Sequence, residues 1–339
     1  MMNKKIKDIY NIYSVSSFER QISNYLKDHY ENNGYKIVRD KLGSIFFNKE
    51  NKNTKKVMIA FPLDEYGLMV REIEYNEKIR FVLLEDISPL SFLNQRVNII
   101  TRNNKNIKGI VKADIKFAED QRVDLREEDL FIEALVPNNA IRENIKVGDL
   151  VSLDSPLYED DDFLMGRALS QKIFQYISIN IAEKIKDKAY PFDLYFGGIS
   201  QSTIGFRGTK TATYVIKPDL ALALTSFEIN KASPKISLGD GLIVGKYDKQ
   251  MLPDKKLLDF VESNFKTKPY LGLRGNDGSF IHKTISGTPT LSVGLATANI
   301  STANELMSKG DIESLEDFII DFLEKIERFL GDWYGPIKI

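Results

Sequence analysis

The sequence has no cysteine among its 339 residues, and only two histidines, His29 and His282, are available for chemistry that needs an imidazole. Disulfide bonds, thiolate catalysis and cysteine-ligated zinc are therefore excluded. The sequence also lacks the run of roughly 20 apolar residues that a membrane-spanning helix needs. Its basic N-terminus has no apolar stretch of the kind that marks a secretory signal, so a cytoplasmic protein without a membrane segment is expected.

A surplus of charge of either sign is missing as well. Lysine and arginine number 47 against 48 acidic residues, which gives a formal net charge of -1. A chain this balanced exerts no general attraction on nucleic acid or on anionic membranes, so neither is an expected partner. Its length and its 42% hydrophobic content are enough for one large domain with an insertion, or for two domains.

Two kinds of periodicity divide the chain. Before about residue 66 and after Gly166, amphipathic helices alternate with apolar strands, as in an α/β domain. The first of the longer helices is predicted to open with a capping box from Ser16 to Glu19. Between about residues 66 and 154 the pattern consists of short strands separated by turn residues, which predicts an all-β insertion.

An acid stands at the end of a buried strand in "KKVMIAFPLDEYG", where Asp64 follows the apolar run. Together with other short motifs, this stretch resembles the glutamyl-aminopeptidase and tetrahedral-aminopeptidase family of dinuclear metallo-exopeptidases, also known under the label "cellulase M". The resemblance runs from about Ser16 to the last helix. The motifs are "SSFE", "DKLGS", "DEYGLMV", "IKGIV", "VGDLVSLD", "GRALSQK", "STIGFRGTKTA", "NDG" and "GTPTLSVGL", and their order and spacing together are specific.

The resemblance implies a fold and an activity. The fold would be a peptidase-type mixed sheet flanked by helices, similar to a zinc-exopeptidase sandwich, made of residues 1–69 and 156–339. A small β-barrel domain of the dimerisation or lid type would be inserted at residues 70–155. Family members hold two divalent ions, zinc or cobalt, at the carboxyl ends of the strands, and a glutamate removes a proton from the water that the ions share.

The chain departs from the family at the residues that carry this chemistry. A proline side chain has no atom that can bind a metal, and neutral hydroxyls are poor ligands for two cations roughly 3.5 to 4 Å apart. Asp64 alone matches the family pattern. The altered positions are Pro62 and Ser301 (histidine ligands in the family), Ser170 (the bridging aspartate), Ser202 (the glutamate base), Thr203 (a glutamate ligand) and Thr225 (an aspartate ligand).

These substitutions predict a chain with no metal site, no cofactor and no peptidase activity of the family type. Asp64 and Ser202 are then former site positions, and the pocket residues are expected to bind a peptide or a small polar ligand through hydroxyl groups. The predicted pocket consists of Pro62, Asp64, Ser170, Ser202, Thr203, Thr225 and Ser301.

Two other functions are weighed against this interpretation. The chain could be an active aminopeptidase with a rearranged or single-metal site, or a hydrolase with a hydroxyl nucleophile. A relay of Ser202 or Ser301 with His282 and Asp64 is disfavoured because the G-x-S-x-G motif is absent. By resemblance, the expected assembly is a homo-oligomer built from dimers, up to a dodecamer, or a hetero-oligomer with an active paralogue.

Overall fold

The computed structural model describes residues 4–51, 55–85, 87–103, 105–114, 125–229 and 234–331. No helix within these ranges is long and apolar enough to cross a bilayer. The helices are α1 (Lys4–Asn11), α2 (Arg20–Asn32), α3 (Asn138–Asn144), α4 (Leu169–Ile185), α5 (Arg207–Ile216), α6 (Lys255–Asn264), α7 (Gly278–Ile281) and α8 (Lys309–Gly331).

Within the described residues the strands form an eight-stranded main sheet, a three-stranded sheet and a closed barrel. From the N-terminus to the end of the barrel they are β1 (Lys36–Arg39), β2 (Ile45–Lys49), β3 (Lys56–Pro62), β4 (Leu68–Ile73), β5 (Ile79–Leu83), β6 (Arg96–Ile100), β7 (Asn106–Ala113), β8 (Leu130–Ala134) and β9 (Leu150–Leu153). The later strands are β10 (Tyr158–Glu159), β11 (Phe163–Gly166), β12 (Asp193–Ile199), β13 (Leu220–Glu228), β14 (Ile243–Tyr247), β15 (Lys268–Leu271), β16 (Thr290–Thr297) and β17 (Glu305–Ser308).

The main sheet has eight strands in the order β1-β2-β12-β3-β13-β16-β14-β15. Its centre, β12, β3, β13 and β16, is parallel. One face packs against α1, α2, α4 and α8 in the largest apolar core, and the other face packs against α5 and α7. Central strands covered on both faces read as continuous apolar runs, which is the pattern of "VMIAF" and "LALAL". The predicted fold class, a mixed sheet flanked by helices, is confirmed.

A closed barrel lies along the chain between β3 and β12, the next strand of the main sheet. Its strands follow the order β4-β5-β8-β7-β6-β9, and β9 closes it against β4. Inward-pointing residues such as Val97 and Ile99 alternate along the strands and form a core distinct from that of the main sheet. The barrel of the predicted fold class is thus present, whereas the domain boundaries at residues 70 and 155 stay a prediction.

The predicted capping box at the start of α2 does not form. The helix begins at Arg20, with Glu19 as its N-cap and no side-chain capping hydrogen bond. The Ser16 hydroxyl donates to Asp64 instead, and a carboxylate oxygen of Glu19 accepts the backbone N–H of Gln201. Both side chains therefore have partners far along the chain, Asp64 and Gln201, and sequence spacing cannot reveal such partners.

A buried ion cluster joins the N-terminal segment, the barrel and α4. Glu65, which follows β3, pairs with Arg167 and, at 3.0 Å, with Lys172. The Ser152 hydroxyl of β9 and the backbone N–H of Ser14 also donate to Glu65. The two cations hold the pKa of Glu65 below its usual range in spite of complete burial. The cluster therefore keeps a charged carboxylate at the junction of three parts of the fold.

Glu65→Gln is expected to lower the free energy of unfolding by about 3 to 5 kcal/mol, because it leaves two buried cations without an acid. Lys172→Met should cost less, since Arg167 still pairs with Glu65 and burial already lowers the pKa of Lys172 to about 8. Urea unfolding measures both changes. Asp259→Asn in the exposed pair with Lys255 is the control, with a change within about 0.5 kcal/mol. Equal losses in all three variants would contradict the role of the cluster.

Candidate functional site

The candidate site is a cavity of about 770 Å³ at the carboxyl ends of the central parallel strands. Because β3, β12, β13 and β16 run in the same direction, the residues that follow them meet at one edge of the sheet. Six of the seven residues predicted for the pocket line the cavity, and Asp64 lies beneath its floor, fully buried. The six lining residues are Pro62, Ser170, Ser202, Thr203, Thr225 and Ser301.

The lining at Thr225 depends on close contact between β13 and β16. A Cβ atom added to Gly294 would lie 1.6 Å from the backbone oxygen of Thr225. No side chain can be accommodated at that distance, so glycine is required for the two strands to pair here. The rim of the cavity includes exposed apolar groups, with Leu273 68% and Tyr247 40% exposed.

Asp64 accepts hydrogen bonds from neutral groups only, among the contacts that the structure describes. The backbone N–H of Ser202 donates at 2.8 Å, and the hydroxyl of Thr203 donates at 2.6 Å. Ser16 supplies a further hydroxyl. Burial raises the pKa of Asp64, although each of these donors opposes the shift. Asp64 thus fixes the loop after β12 rather than facing a ligand.

Asp277 is a second buried acid of the floor, and it lies at the start of α7. It accepts the hydroxyl of Ser202 and the hydroxyl of Thr209, both at 2.5 Å. Burial raises the pKa of Asp277 to about 6, and the nearby charge of Asp64 acts in the same direction. The Ser202 side chain, which occupies the predicted position of the family's general base, is therefore a donor to a buried carboxyl group.

Glu305 is the third buried acid, and it connects two of the predicted pocket residues. The backbone N–H groups of Ser170 and Ser301 donate to it at 2.6 and 2.8 Å. The Ser170 hydroxyl lies within reach of Glu305 at 3.1 Å and of the Gln171 side chain at 3.0 Å. Burial raises the pKa of Glu305 to about 7.

The sequence predicts that hydroxyl groups line the cleft as donors and acceptors, and their role in binding stays a prediction. In the structure the hydroxyls of Ser170, Ser202 and Thr203 donate to groups within the floor. Asp277 and Glu305 were absent from the predicted set. Both lie in matched or neighbouring motifs, "NDG" and the segment after Ser301, but no local pattern distinguishes a buried acid from a solvated one.

Neither histidine takes part in a catalytic relay among the described contacts. His282 ends α7, and its Nδ1 lies 3.1 Å from the backbone oxygen of Gly278. His29 packs against the ring of Tyr25, with 4.6 Å between the ring centroids, and burial lowers its pKa. Ser202 bonds to an aspartate without an intervening imidazole, so a serine-histidine-aspartate arrangement is not assembled here.

The comparisons with known proteins agree with the fold. The family model described as M42 glutamyl aminopeptidase matches residues 43–318. The glutamyl aminopeptidase of Lactococcus lactis subsp. cremoris is 27% identical over 335 residues, which is 93% of this chain and 94% of that protein. The resemblance predicted from the sequence is confirmed.

Solved structures show the same architecture over nearly the whole chain. The TET aminopeptidase from a marine sediment Thaumarchaeota archaeon has a TM-score of 0.88 at 24% identity, with 95% of each chain covered. The Pyrococcus horikoshii TET1 peptidase, which can assemble into a tetrahedron or a large octahedral shell, has a TM-score of 0.83 at 18% identity. That match covers 93% of this chain and 97% of the peptidase.

The prediction that the chain takes no cofactor is wrong in the light of these matches. The matched family consists of dinuclear metallo-aminopeptidases, so two divalent ions are the family norm. The donor set of the cleft does not fit that pair. In the part of the chain that the structure describes, no three histidine, aspartate or glutamate side chains are grouped so as to hold a metal ion. The family norm therefore requires two divalent ions, whereas the described side chains of this cleft do not provide a set of ligands for them.

The raised pKa of Glu305 predicts a stability that falls as pH rises. The folded chain keeps this proton up to about pH 7, whereas the unfolded chain releases it near 4.5. The stabilisation that protonated Glu305 gives the folded chain is therefore fully present below pH 4.5 and is lost as the pH rises towards 7. The difference in unfolding free energy between wild type and Glu305→Gln should fall by about 2 kcal/mol from pH 5 to 7.5. Urea titrations at each pH measure it.

The exposed Glu313→Gln provides the control, because its difference from wild type should not change over the same interval. A Glu305→Gln difference that is equally independent of pH would show that Glu305 is ionised in the folded chain.

Proposed function

The chain belongs to the M42 glutamyl aminopeptidase family, and on that premise we propose that its cleft binds a peptide or a small polar ligand without hydrolysing it by the family's mechanism. The protein is then a pseudoenzyme, which acts as a binder or as a structural or regulatory subunit.

This proposal is supported by the serine at position 202 and by the hydrogen bonds of the three buried acids beside it. Hydrolysis of the family type needs a carboxylate that can take a proton from water. Position 202 instead holds a serine whose hydroxyl donates to Asp277. The three floor acids, Asp64, Asp277 and Glu305, are at most 3% exposed. Each is occupied by donors of the protein, so none is placed to activate a water molecule.

The shape of the cleft supports a binding role. Its volume lies within the roughly 300 to 1,000 Å³ of ordinary ligand pockets. Ala168, Gln201 and Ser301 hold left-handed backbone conformations beside it, with φ of 51°, 51° and 68°. Such a conformation costs a residue other than glycine on the order of 1 kcal/mol or more. The same conformation also occurs away from the cleft, at Glu77 and Lys217, so the volume of the cavity is what supports the binding role.

We also propose a homo-oligomer, because the similar TET1 peptidase assembles into closed shells. In this arrangement the barrel insertion, residues 70–155, mediates dimerisation or covers the cleft that the segments 1–69 and 156–339 form. A hetero-oligomer with an active paralogue is the other assembly compatible with a regulatory role. A cytoplasmic location stays a prediction from the sequence.

The second candidate function is an active aminopeptidase with a rearranged or single-metal site. It is favoured by the similarity to the Lactococcus lactis glutamyl aminopeptidase over 93% of this chain. The missing general base at position 202 argues against it, because a metal-bound water still needs a proton acceptor.

The purified protein is expected to hydrolyse no aminoacyl-p-nitroanilide, with or without added zinc, cobalt or manganese, since Ser202 cannot replace the general base of the family's mechanism. Its Tm should rise with a saturating di- or tripeptide from a mixed panel. Thr225→Trp, which fills the cavity, is the matched control and should abolish the Tm shift.

Two outcomes would contradict the proposal. Turnover that disappears both with a chelator and in Thr225→Trp would establish the second candidate function. The absence of any Tm shift across the peptide panel would remove the binding role.

A further inference from the structure

The outer face of α5 carries cations, and the helix contains no acid. Arg207, Lys210 and Lys217 recur with Tyr214 at steps of three and four residues, which places the four side chains on one side of the helix. All four are exposed, Tyr214 at 64%. At a rise of 1.5 Å per residue, the cations span roughly 15 Å. Together with Lys283, which lies beside them, these residues are named the basic stripe.

Lys283, which follows α7, joins the stripe through a shared aromatic ring. The Nζ atoms of Lys210 and Lys283 lie 5.6 and 4.4 Å from the centre of the Phe280 ring. The Nζ atom of Lys217 lies 5.5 Å from the centre of the Tyr214 ring. A ring face attracts an ammonium group without taking up its N–H donors as a carboxylate does. The lysines of the stripe therefore keep donors for an anion.

The acids around α5 do not neutralise the stripe. In the part of the chain that the structure describes, none of its four cations forms an ion pair. Asp40 and Asp277 hydrogen-bond to α5, but they accept threonine hydroxyls. Asp219, which follows the stripe along the chain, pairs with Lys55. Four positive charges thus lie together on a chain whose formal net charge is -1.

The stability of α5 does not account for these charges. Its first turn holds Arg207 and no acid, although the N-terminal end of a helix favours an acid. Arg207 and Lys210, three residues apart, repel each other. The helix is held to the main sheet by its opposite face, where Ala212 and Ile216 are buried. The charge of the stripe is therefore complementary to groups outside the described fold.

Apolar neighbours of the stripe indicate that its partner is a peptide. Tyr214 is accompanied by Val215, 46% exposed, and by Ile285, 54% exposed. Phosphates of a nucleic acid would meet the cations but would leave these apolar groups uncovered, and the balanced charge of the chain adds no general attraction. An acidic peptide supplies both carboxylates and apolar side chains. About five extended residues are enough to span roughly 15 Å.

We infer that the basic stripe is a docking surface for an acidic peptide segment of a partner protein, whose carboxylates pair with Arg207, Lys210, Lys217 and Lys283 while an apolar side chain covers Tyr214. None of these residues lines the cleft. The inference therefore goes beyond the proposed function and does not depend on what the cleft binds. Docking involves no covalent step.

Fluorescence anisotropy with three labelled decapeptides tests the inference. Each peptide has leucine at the same two positions, and its other positions are all glutamate, all glutamine or all lysine. At low salt the glutamate peptide should bind about tenfold tighter than the glutamine peptide, because several exposed ion pairs act together. This preference should shrink as salt is added. The lysine peptide should not bind.

Paired lysine variants assign the preference to the stripe. Lys210→Gln with Lys283→Gln removes the two cations that lie over the Phe280 ring and should reduce the preference several-fold. Lys4→Gln with Lys7→Gln changes the net charge equally on exposed positions of α1 and should leave the preference intact. All four side chains are exposed, so the Tm of both variants should stay close to that of the wild type.

Two further variants locate the bound peptide. Since the chain has no cysteine, Val215→Cys gives a single thiol for a benzophenone maleimide beside the stripe. On illumination it should crosslink the glutamate peptide, whereas the same label on Glu143→Cys, on the exposed surface of α3, should not. Thr225→Trp, which fills the cleft, should bind the glutamate peptide as the wild type does.

The outcomes separate this inference from the proposed function. Equal binding of the glutamate and glutamine peptides, a preference that survives in Lys210→Gln with Lys283→Gln, or no crosslink from Val215→Cys refutes the docking surface and leaves the cleft proposal in place. Loss of the preference in Thr225→Trp would put the acidic peptide in the cleft and would also refute it. A missing Tm shift with the panel of short peptides refutes the cleft proposal alone.

Two other occupants would overturn the inference. Tighter binding of a short oligothymidine than of the glutamate peptide would show that the stripe recognises phosphates. Self-association that Lys210→Gln with Lys283→Gln removes, measured by sedimentation at increasing protein concentration, would identify a second copy of this chain as the occupant.

Discussion

The arrangement of the cleft depends on one constraint, that a buried carboxyl group must receive hydrogen-bond donors. Asp64 and Glu305 lie beneath the cleft and Asp277 lies in its lining. The donors to all three are hydroxyl and backbone N–H groups. The residues at positions 170, 202, 203 and 301 are therefore fixed from below. An unsatisfied buried acid costs several kcal/mol, so these contacts determine where the serine and threonine side chains point.

Another buried acid of the same molecule, Glu65, has positively charged partners in addition to neutral donors. Glu65 is surrounded by Arg167 and Lys172, and its pKa is lowered, whereas the pKa values of Asp277 and Glu305 are raised by burial among neutral donors. The ion cluster stays charged near neutral pH and ties three parts of the fold together. The floor acids gain protons readily and give the cleft a charge that varies with pH. The difference lies in the partners, since all of these groups are buried.

Periodicity and chain direction make much of this structure predictable. The apolar runs of β3 and β13 mark covered parallel strands, and their common direction places Pro62, Thr225 and the residues after them at one edge of the sheet. The hydrogen-bond partners of individual side chains could not be predicted from periodicity or strand direction. Glu305 lies 135 residues from Ser170 along the chain, and Ser16 loses its predicted capping role to Asp64. The cofactor prediction failed because it took the residue types at single positions as decisive against the norm of a whole family.

Backbone and side chains contribute separately to the cleft. Left-handed residues such as Ala168 and Gln201 and the close approach of β13 to Gly294 set its shape, and none of them depends on the charge of the lining. Lining side chains that donate no hydrogen bond to the buried acids can therefore change without loss of the fold. Among the described lining residues four acids, Glu85, Glu228, Asp248 and Asp277, stand against Arg274. A cleft whose shape is held by the backbone can change the charge of its lining by few substitutions, and selectivity then follows from the charge of the ligand.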